Sequence, residues 1–466
     1  MEVICIVLSL ILLITFAYRG FSVILFAPVF ALLAATISGF SIMPAYTELF
    51  MAKAVTYVKS FFPVFMLGAV FGKVMEDTGM AKGIAKAIIK GLGKERAILS
   101  VVLAGAVLTY GGVSMFVVVF AVYPFAAALF REAQIPKRLI PACIVLGAFT
   151  FTMDTFPGTP QIQNIIPSNF FGTTVYSAPI CGLVGSILLL SSGMLYLEHR
   201  RKAAAAKGEQ YGDHTLNEPE AGSADAQYPD WKISVLPLIL VLIVNYLLSV
   251  VFTWDTDLIK PFLAMKLPLI APAVKNVVTI WALIIALVCG ICLAVGIGYR
   301  YLPEGGLRKA LNAGAIGSLL AIMNTASEVG YGNVIAALPG FKDIASALLG
   351  IHIGGTPLIS EAVTVTTLAG ITGSASGGMS IALDLMSKDW LSWANSIGMS
   401  PEILHRVASM ASGGMDTLPH NGAVITLLAV CGLTHREAYP DIFFLTLMKT
   451  VMAFVIIGFY LLTGLM

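Results

Sequence analysis

Met153-Asp154-Thr155-Phe156-Pro157-Gly158-Thr159-Pro160 interrupts an apolar run and decides how the chain is read. It has a twin, Met415-Asp416-Thr417-Leu418-Pro419-His420-Asn421-Gly422. The pattern M-D-T-[FL]-P thus occurs twice, at an offset of 262. Each copy sets a carboxylate, a hydroxyl and a helix-breaking proline inside an otherwise apolar segment. Such a segment predicts a broken membrane helix.

The surrounding composition agrees. Of 466 residues, 58% are hydrophobic and 12% charged, and the mean hydropathy is +0.89. Soluble chains carry about 25% charged residues. The low charge and the repeated apolar runs predict an all-α polytopic membrane protein. The start, Met1-Glu2-Val3, has no basic n-region, and the first apolar run reads as a span rather than a removed signal. Six cysteines lie in apolar segments, with Cys289 and Cys292 in a C-x-x-C. Without further ligands nearby, buried reduced thiols are expected, and no metal site. A net charge of +2 carries no nucleic-acid expectation.

Ten spans are predicted, at 3–17, 21–38, 61–75, 139–170, 176–197, 233–253, 277–297, 311–330, 403–433 and 441–464. Residues 44–60 read as interfacial. Lys82, Lys86, Lys90 and Lys94 recur every fourth residue and form one solvated helical face. Between these segments lie two pairs of short arms. Residues 97–109 and 115–130 flank Tyr110-Gly111-Gly112-Val113-Ser114. At 1.5 Å per residue each arm spans roughly 20–24 Å, short of a core of ~30 Å. A re-entrant hairpin is expected, with two full spans as the alternative. A second pair of arms flanks the Gly373–Ser380 stretch. Residues 203–231 are polar and low in complexity, and read as a flexible cytoplasmic linker.

The letters repeat. Gly72-Lys73-Val74 aligns with Gly332-Asn333-Val334, and Lys82, Ile84, Ala85 and Ala87 align with Lys342, Ile344, Ala345 and Ala347, all at an offset of 260. Gly111-Gly112-Val113-Ser114 aligns with Gly377-Gly378-Met379-Ser380 at 266. With the N-terminus outside, 20 of the 28 Lys and Arg residues lie inside. The first hairpin then enters from inside and the second from outside, so the repeats are inverted and both termini lie outside. The expected organisation is N-terminal spans and an interfacial segment over 1–60, repeat one over 61–197, a flexible linker over 198–232, connecting spans over 233–300 and repeat two over 301–466.

Inverted repeats with broken helices point to secondary transport. Half-helix N-termini suit a carboxylate, and freed carbonyls suit a cation. The expected substrate-binding residues are Gly111, Gly112, Ser114, Thr155, Gly158, Thr159, Ser374, Ser376, Gly377, Gly378, Ser380, Thr417 and Asn421. Asp154, Asp416 and His420 are the expected coupling residues. Plain alternatives exist: each aspartate as a helix N-cap with proline in the first turn, and His420 as a hydrogen-bonded core residue. Glu328 and Glu361 lie near segment ends, where an interfacial place competes with a role in coupling. No Arg or Lys falls inside a tip or a break, so an anion would be held by dipoles, hydroxyls and amides. A uniporter or channel of the same fold is the first rival. An intramembrane enzyme using the two aspartates is the second; the sequence offers it no H-E-x-x-H and no Cys/His cluster.

At these residues the chain resembles the gluconate permease (GntP) family of the ion transporter superfamily. The resemblance spans most of the chain. It rests on Leu67-Gly68-Ala69-Val70-Phe71-Gly72-Lys73-Val74-Met75 with Glu76-Asp77-Thr78-Gly79, on Pro157-Gly158-Thr159-Pro160 and on Gly373-Ser374-Ala375-Ser376. It implies proton-coupled symport of a sugar acid or small hydroxy acid across the bacterial inner membrane, with sodium as the second choice of ion and no other cofactor. It also implies a scaffold, a moving transport domain, a homodimer and an elevator motion. The first tip reads Tyr-Gly-Gly-Val-Ser, where gluconate-type members tend to carry an acid. A shorter acid such as 3-hydroxybutyrate suits that less polar tip.

Overall fold

A computed structural model describes residues 2–19, 21–218, 228–265, 273–303, 306–351, 353–419 and 421–466. Every regular element among them is helical. The main helices are α1 (Glu2–Tyr18), α2 (Val23–Ile37), α3 (Ala52–Asp77), α4 (Met80–Leu92), α5 (Ala97–Tyr110), α6 (Met115–Glu132), α7 (Ile140–Ala148), α8 (Ile162–Phe171), α9 (Pro179–Ala206), α10 (Leu236–Tyr246), α11 (Val278–Gly298), α12 (Gly306–Ala337), α13 (Phe341–Leu349), α14 (Leu358–Thr372), α15 (Ala375–Ser396), α16 (Pro401–Ser412), α17 (Gly422–Val430) and α18 (His435–Thr463). Among the described residues, six helical stretches are long and apolar enough to cross a membrane: Ile42–Asp77, Lys137–Thr155, Pro179–Ala206, Trp231–Val251, Val278–Tyr301 and His435–Thr463. Leucines and isoleucines such as Leu25, Ile187, Leu195 and Leu320 face outward, as they do where lipid is the solvent.

The order of elements recurs. A long helix, a short amphipathic helix, a two-helix hairpin, a broken helix and a final long helix run from α3 to α9 and again from α12 to α18. The two long leading helices, α3 and α12, pack on each other along their length. Their crossing is close because Gly314 has no side chain: a Cβ there would meet the Val70 backbone. The two pairs of short arms are helix pairs, α5 with α6 and α14 with α15, each joined by a short tip. Ser114 precedes α6 and Ser374 precedes α15, each as the N-cap position. The tips therefore correspond at the same offset of 260 as Gly72 with Gly332 and Lys82 with Lys342. The glycine-pair alignment at 266 is a coincidence of letters. Gly377 and Gly378 lie in the first turn of α15, not in the tip loop.

Other expectations shift. Residues 44–60 are not a separate interfacial element. They join α3 through a π-helical turn at Ala45–Met51, and Lys53 pairs with Asp384 at 2.7 Å. The polar stretch after α9 is docked where it is described. Residues 203–206 extend α9. Arg138 pairs with Glu209 at 2.6 Å and Lys137 with Glu218 at 2.7 Å, and Asn217 Nδ2 donates to the Ala429 carbonyl. The Arg138 guanidinium holds the Glu209 carboxyl below its usual range. Composition alone reads such a stretch as loose because its partners lie on distant helices. Residues 219–227 fall outside the described residues. All six cysteines are free, and Cys292 is exposed rather than buried.

Candidate substrate site

Both M-D-T motifs sit at true breaks. After α7 the chain makes a π-helical turn, Phe151–Thr155, then runs irregularly to α8. After α16 it runs irregularly from Gly413 to α17. Neither aspartate caps a helix. The N-cap positions are Gln161 for α8 and Asn421 for α17. Asn421 Oδ1 accepts from the Ala423 and Val424 amides. The same two positions tie each break to its own hairpin. Gln161 Nε2 donates to the Thr109 carbonyl at 2.7 Å, and Asn421 Nδ2 donates to the Gly373 carbonyl at 2.7 Å.

The first break is closed on itself. Asp154, Thr155, Gly158 and Thr159 are all buried. Thr155 Oγ1 donates to Asp154 Oδ1 at 2.5 Å, and Thr159 Oγ1 donates to the Thr152 carbonyl at 2.6 Å. A Cβ on Gly158 would run into Tyr176, and one on Gly413 would run into the Asp154 carboxyl. Arg406 of α16 clasps the whole break. Its guanidinium donates to the carbonyls of Thr155, Val175 and Ser177 and to Asn164 Oδ1, at 2.8–3.2 Å. The first tip is sealed too. Gly111 lies against Leu238 and Gly112 against Pro160, while Tyr110 Oη donates to the Pro157 carbonyl.

The second break and tip open on a cavity of about 490 Å³. Its polar lining includes Ser374, Ser376, Asp416, Asn421, Glu328 and Asn324, with Gln163 from α8 opposite. Asp416 Oδ1 accepts from Lys449 Nζ at 2.6 Å, and the same ammonium donates to the Phe149 carbonyl at 3.0 Å. Thr417 Oγ1 pairs with Thr446 Oγ1 at 2.7 Å, behind the cavity wall. Ser380 Oγ turns back to the Ser376 carbonyl and lines a smaller cavity with Tyr57 and Asp384. Gly378 packs its Cα on the Ala369 backbone.

The cavity therefore gathers Ser374, Ser376, Asp416 and Asn421 of the expected site. Gly111, Gly112, Ser114, Thr155, Gly158, Thr159 and Asp154 are not among its lining residues, and neither are Gly377, Gly378, Ser380 and Thr417. His420 lies outside the described residues. No Arg or Lys falls within a tip or a break, as read from the sequence, yet cations reach both breaks: Arg406 and Lys449 arrive from helices beside them. Neither residue falls within the motif, so spacing gave no sign of them. Glu328, which the sequence left between two roles, lines the cavity. Glu361 is buried in α14 away from it.

Comparison with known proteins places the chain. A family profile described as GntP family permease matches residues 1–292. A protein of Bacillus subtilis (strain 168) described as "uncharacterized transporter YxjC" is 52% identical over 481 residues, covering all of both chains. Among solved structures, Neisseria gonorrhoeae MtrF, reported within a class of antimetabolite efflux pumps, superposes with a TM-score of 0.55 at 11% identity, over 92% of this chain and 93% of that one. The Alcanivorax borkumensis YdaH transporter gives 0.50 at 16% identity, over 88% of each. At such identities these two likenesses carry the fold alone.

Proposed function

We propose that this chain, which belongs to the GntP permease family and is a transporter, is a proton-coupled symporter for a small organic anion. The substrate class is a hydroxy acid or sugar acid, gluconate-like or 3-hydroxybutyrate-like. Sodium is the second choice of coupling ion. The single observation that carries the reading is the cavity at the second break and tip. It has a size usual for small-molecule sites, and it joins a helix N-terminus, hydroxyls and amides to two carboxyls. The first three suit a carboxylate substrate. The carboxyls suit a coupling proton.

The rest of the proposal is architectural. The recurring helix order supports two repeats, and the distribution of Lys and Arg supports their inversion, with both termini outside the bacterial inner membrane. The family resemblance adds a dimer in which the hairpin-bearing part moves against α3 and α12 as an elevator. Asp416 is the coupling residue on the cavity wall, and Asp154 sits behind it.

The test is uptake of labelled gluconate and 3-hydroxybutyrate into proteoliposomes, with proton and sodium gradients imposed separately. Accumulation driven by the proton gradient and abolished by an uncoupler is the expected result. Uptake that ignores both gradients would remove the symporter reading and leave a uniporter.

A further inference from the structure

Glu328 stands where a ligand would stand. It projects from α12 onto the first turn of α15. A Cβ built on Gly377 would land on its carboxyl, so glycine at this position is what lets the acid reach the helix. The Ser374 hydroxyl also lies against the carboxyl. Glu328 is 3% exposed, and its Oε2 has no hydrogen-bond partner. The Gly377 amide is taken by Ser374 Oγ at 3.1 Å. The amides of Ala375 and Ser376 are those that a helix of this length leaves open. Partial positive charge collects there.

Among the described residues, no salt bridge is seen for the acid. Tyr57 faces it from α3. Further along α15, Asp384 is already paired with Lys53 at 2.7 Å. On the cavity wall, Asp416 is paired with Lys449 at 2.6 Å. Helix α2, which also packs on α12, carries no titratable side chain. The N-terminus of α15 is thus the local counterweight to this carboxylate. The first repeat has no equivalent. At the offset of 260 the twin of Glu328 is Gly68, and a Cβ there would meet nothing within 4 Å.

We propose that Glu328 is an internal occupant of the substrate's carboxylate seat at the N-terminus of α15, and that the carried anion takes this seat by displacing it. The proposal rests on the anion-symport reading above. The two carboxylates compete for one set of donors, and like charges do not share it. Glu328 leaves when its carboxylate accepts one proton from water, because a neutral acid loses its attraction to the helix end. The anion then occupies the seat. On the other side of the membrane the anion departs, Glu328 gives the proton back to water, and the carboxylate returns to α15. At this seat one proton moves with one carboxylate, beside whatever Asp416 carries, and charge balances.

The experiment separates this seat from the transport reading. The melting temperature of the purified wild-type protein and of Glu328→Ala is followed against acetate, with chloride as the ionic-strength control. Acetate is a bare carboxylate and needs no knowledge of the natural substrate. It should raise the melting temperature of Glu328→Ala by about 2 °C and leave the wild type where chloride leaves it. An equal shift in both, or none in a folded Glu328→Ala, overturns the proposal. Should Glu328→Ala fail to fold, Glu328→Gln decides. Its initial rate of gluconate or 3-hydroxybutyrate uptake should depend less steeply on pH than that of the wild type, since Asp416 remains; a wild-type pH profile overturns the proposal. If the wild type accumulates neither acid under any gradient, the symport reading falls, and the acetate measurement still decides the seat.

Discussion

The two breaks share a pentapeptide and differ in almost everything around it. At the first, the polar groups are turned inward, Asp154 Oδ2 apart, which has no hydrogen-bond partner: Asp154 Oδ1 onto Thr155, Thr159 onto Thr152, and the carbonyls of Thr155, Val175 and Ser177 onto Arg406. At the second, Asp416 and Asn421 line a cavity, and one lysine bridges Asp416 to Phe149. The difference is made by side chains outside the motif. Arg406 has Ile144 at the twin position 262 residues earlier. An unwound segment must satisfy its freed backbone somehow. The first does so with a guanidinium. The second does so with side-chain rings, Tyr439 on the Thr417 carbonyl and His435 on the Pro419 carbonyl, and leaves Asp416 and Asn421 facing the cavity.

The largest expected effect comes from removing that guanidinium. Arg406→Ala leaves buried carbonyls without donors, and opening such a buried charged network costs about 3–5 kcal/mol. The purified variant should melt far below the wild type or fail to accumulate in the membrane. A variant with wild-type melting and wild-type uptake would mean that the first break does not depend on its clasp, and the contrast drawn above would fail.

Lys449 offers the next test. Lys449→Met leaves Asp416 buried without a cation, whereas Asp416→Asn removes the charge together with the need for one. The pair should therefore couple: the double variant should be more stable than the sum of the single losses by about 0.5–3 kcal/mol. Chemical or thermal unfolding in detergent measures it. Asp154→Asn should cost less than Lys449→Met, because Asp154 is held by a hydroxyl and no ion pair within 4.0 Å is seen for it among the described residues. Asp416→Asn should abolish proton-driven accumulation; if accumulation survives, Asp416 is structural.

These partners mark the limit of what the sequence shows. The repeated M-D-T, both pairs of short arms and the broken helices were legible because each is local: an apolar run, a Gly or Pro, a short arm. The expected arm 97–109 is a helix at 97–110, and 115–130 is a helix at 115–132. The glycine pairs misled, since Gly-Gly is easily met twice in a chain with 44 glycines. Ser114 and Ser374, the true equivalents, are ordinary letters. Arg406, Lys449 and Glu328 could not be placed because each acts on residues 33 to 300 positions away. A lone charge in an apolar run looks the same whether it faces lipid, a partner or a cavity.

Two glycines carry the contrast into packing. Gly111 lies against Leu238 at the sealed tip, and Gly377 lies beneath Glu328 at the open one. Gly111→Ala should overpack the first tip and cost about 1–3 kcal/mol, with the apparent affinity for any carried acid unchanged. Gly377→Ala should instead push Glu328 off α15. Its stability cost should be smaller and its effect on uptake larger. Equal behaviour in both assays would remove the distinction between a tip that holds and a tip that binds.

The smallest effect belongs to the two amides that tie break to tip. Gln161 and Asn421 occupy the same position in the two repeats and make the same bond, each to a carbonyl of its own hairpin. They are not equal. Asn421 also caps α17 through two backbone amides, and Gln161 makes no side-chain cap on α8. A lost cap costs about 0.5–2 kcal/mol, and a lost neutral hydrogen bond about 0.5–1.5 kcal/mol. Asn421→Ala therefore loses both and Gln161→Ala only the second. Asn421 also lines the cavity, so its loss should weaken apparent affinity for the carried acid, while Gln161→Ala should change the melting temperature alone. If the two substitutions reduce affinity alike, the tie to the hairpin is what positions the substrate, and both halves of the molecule take part in holding it.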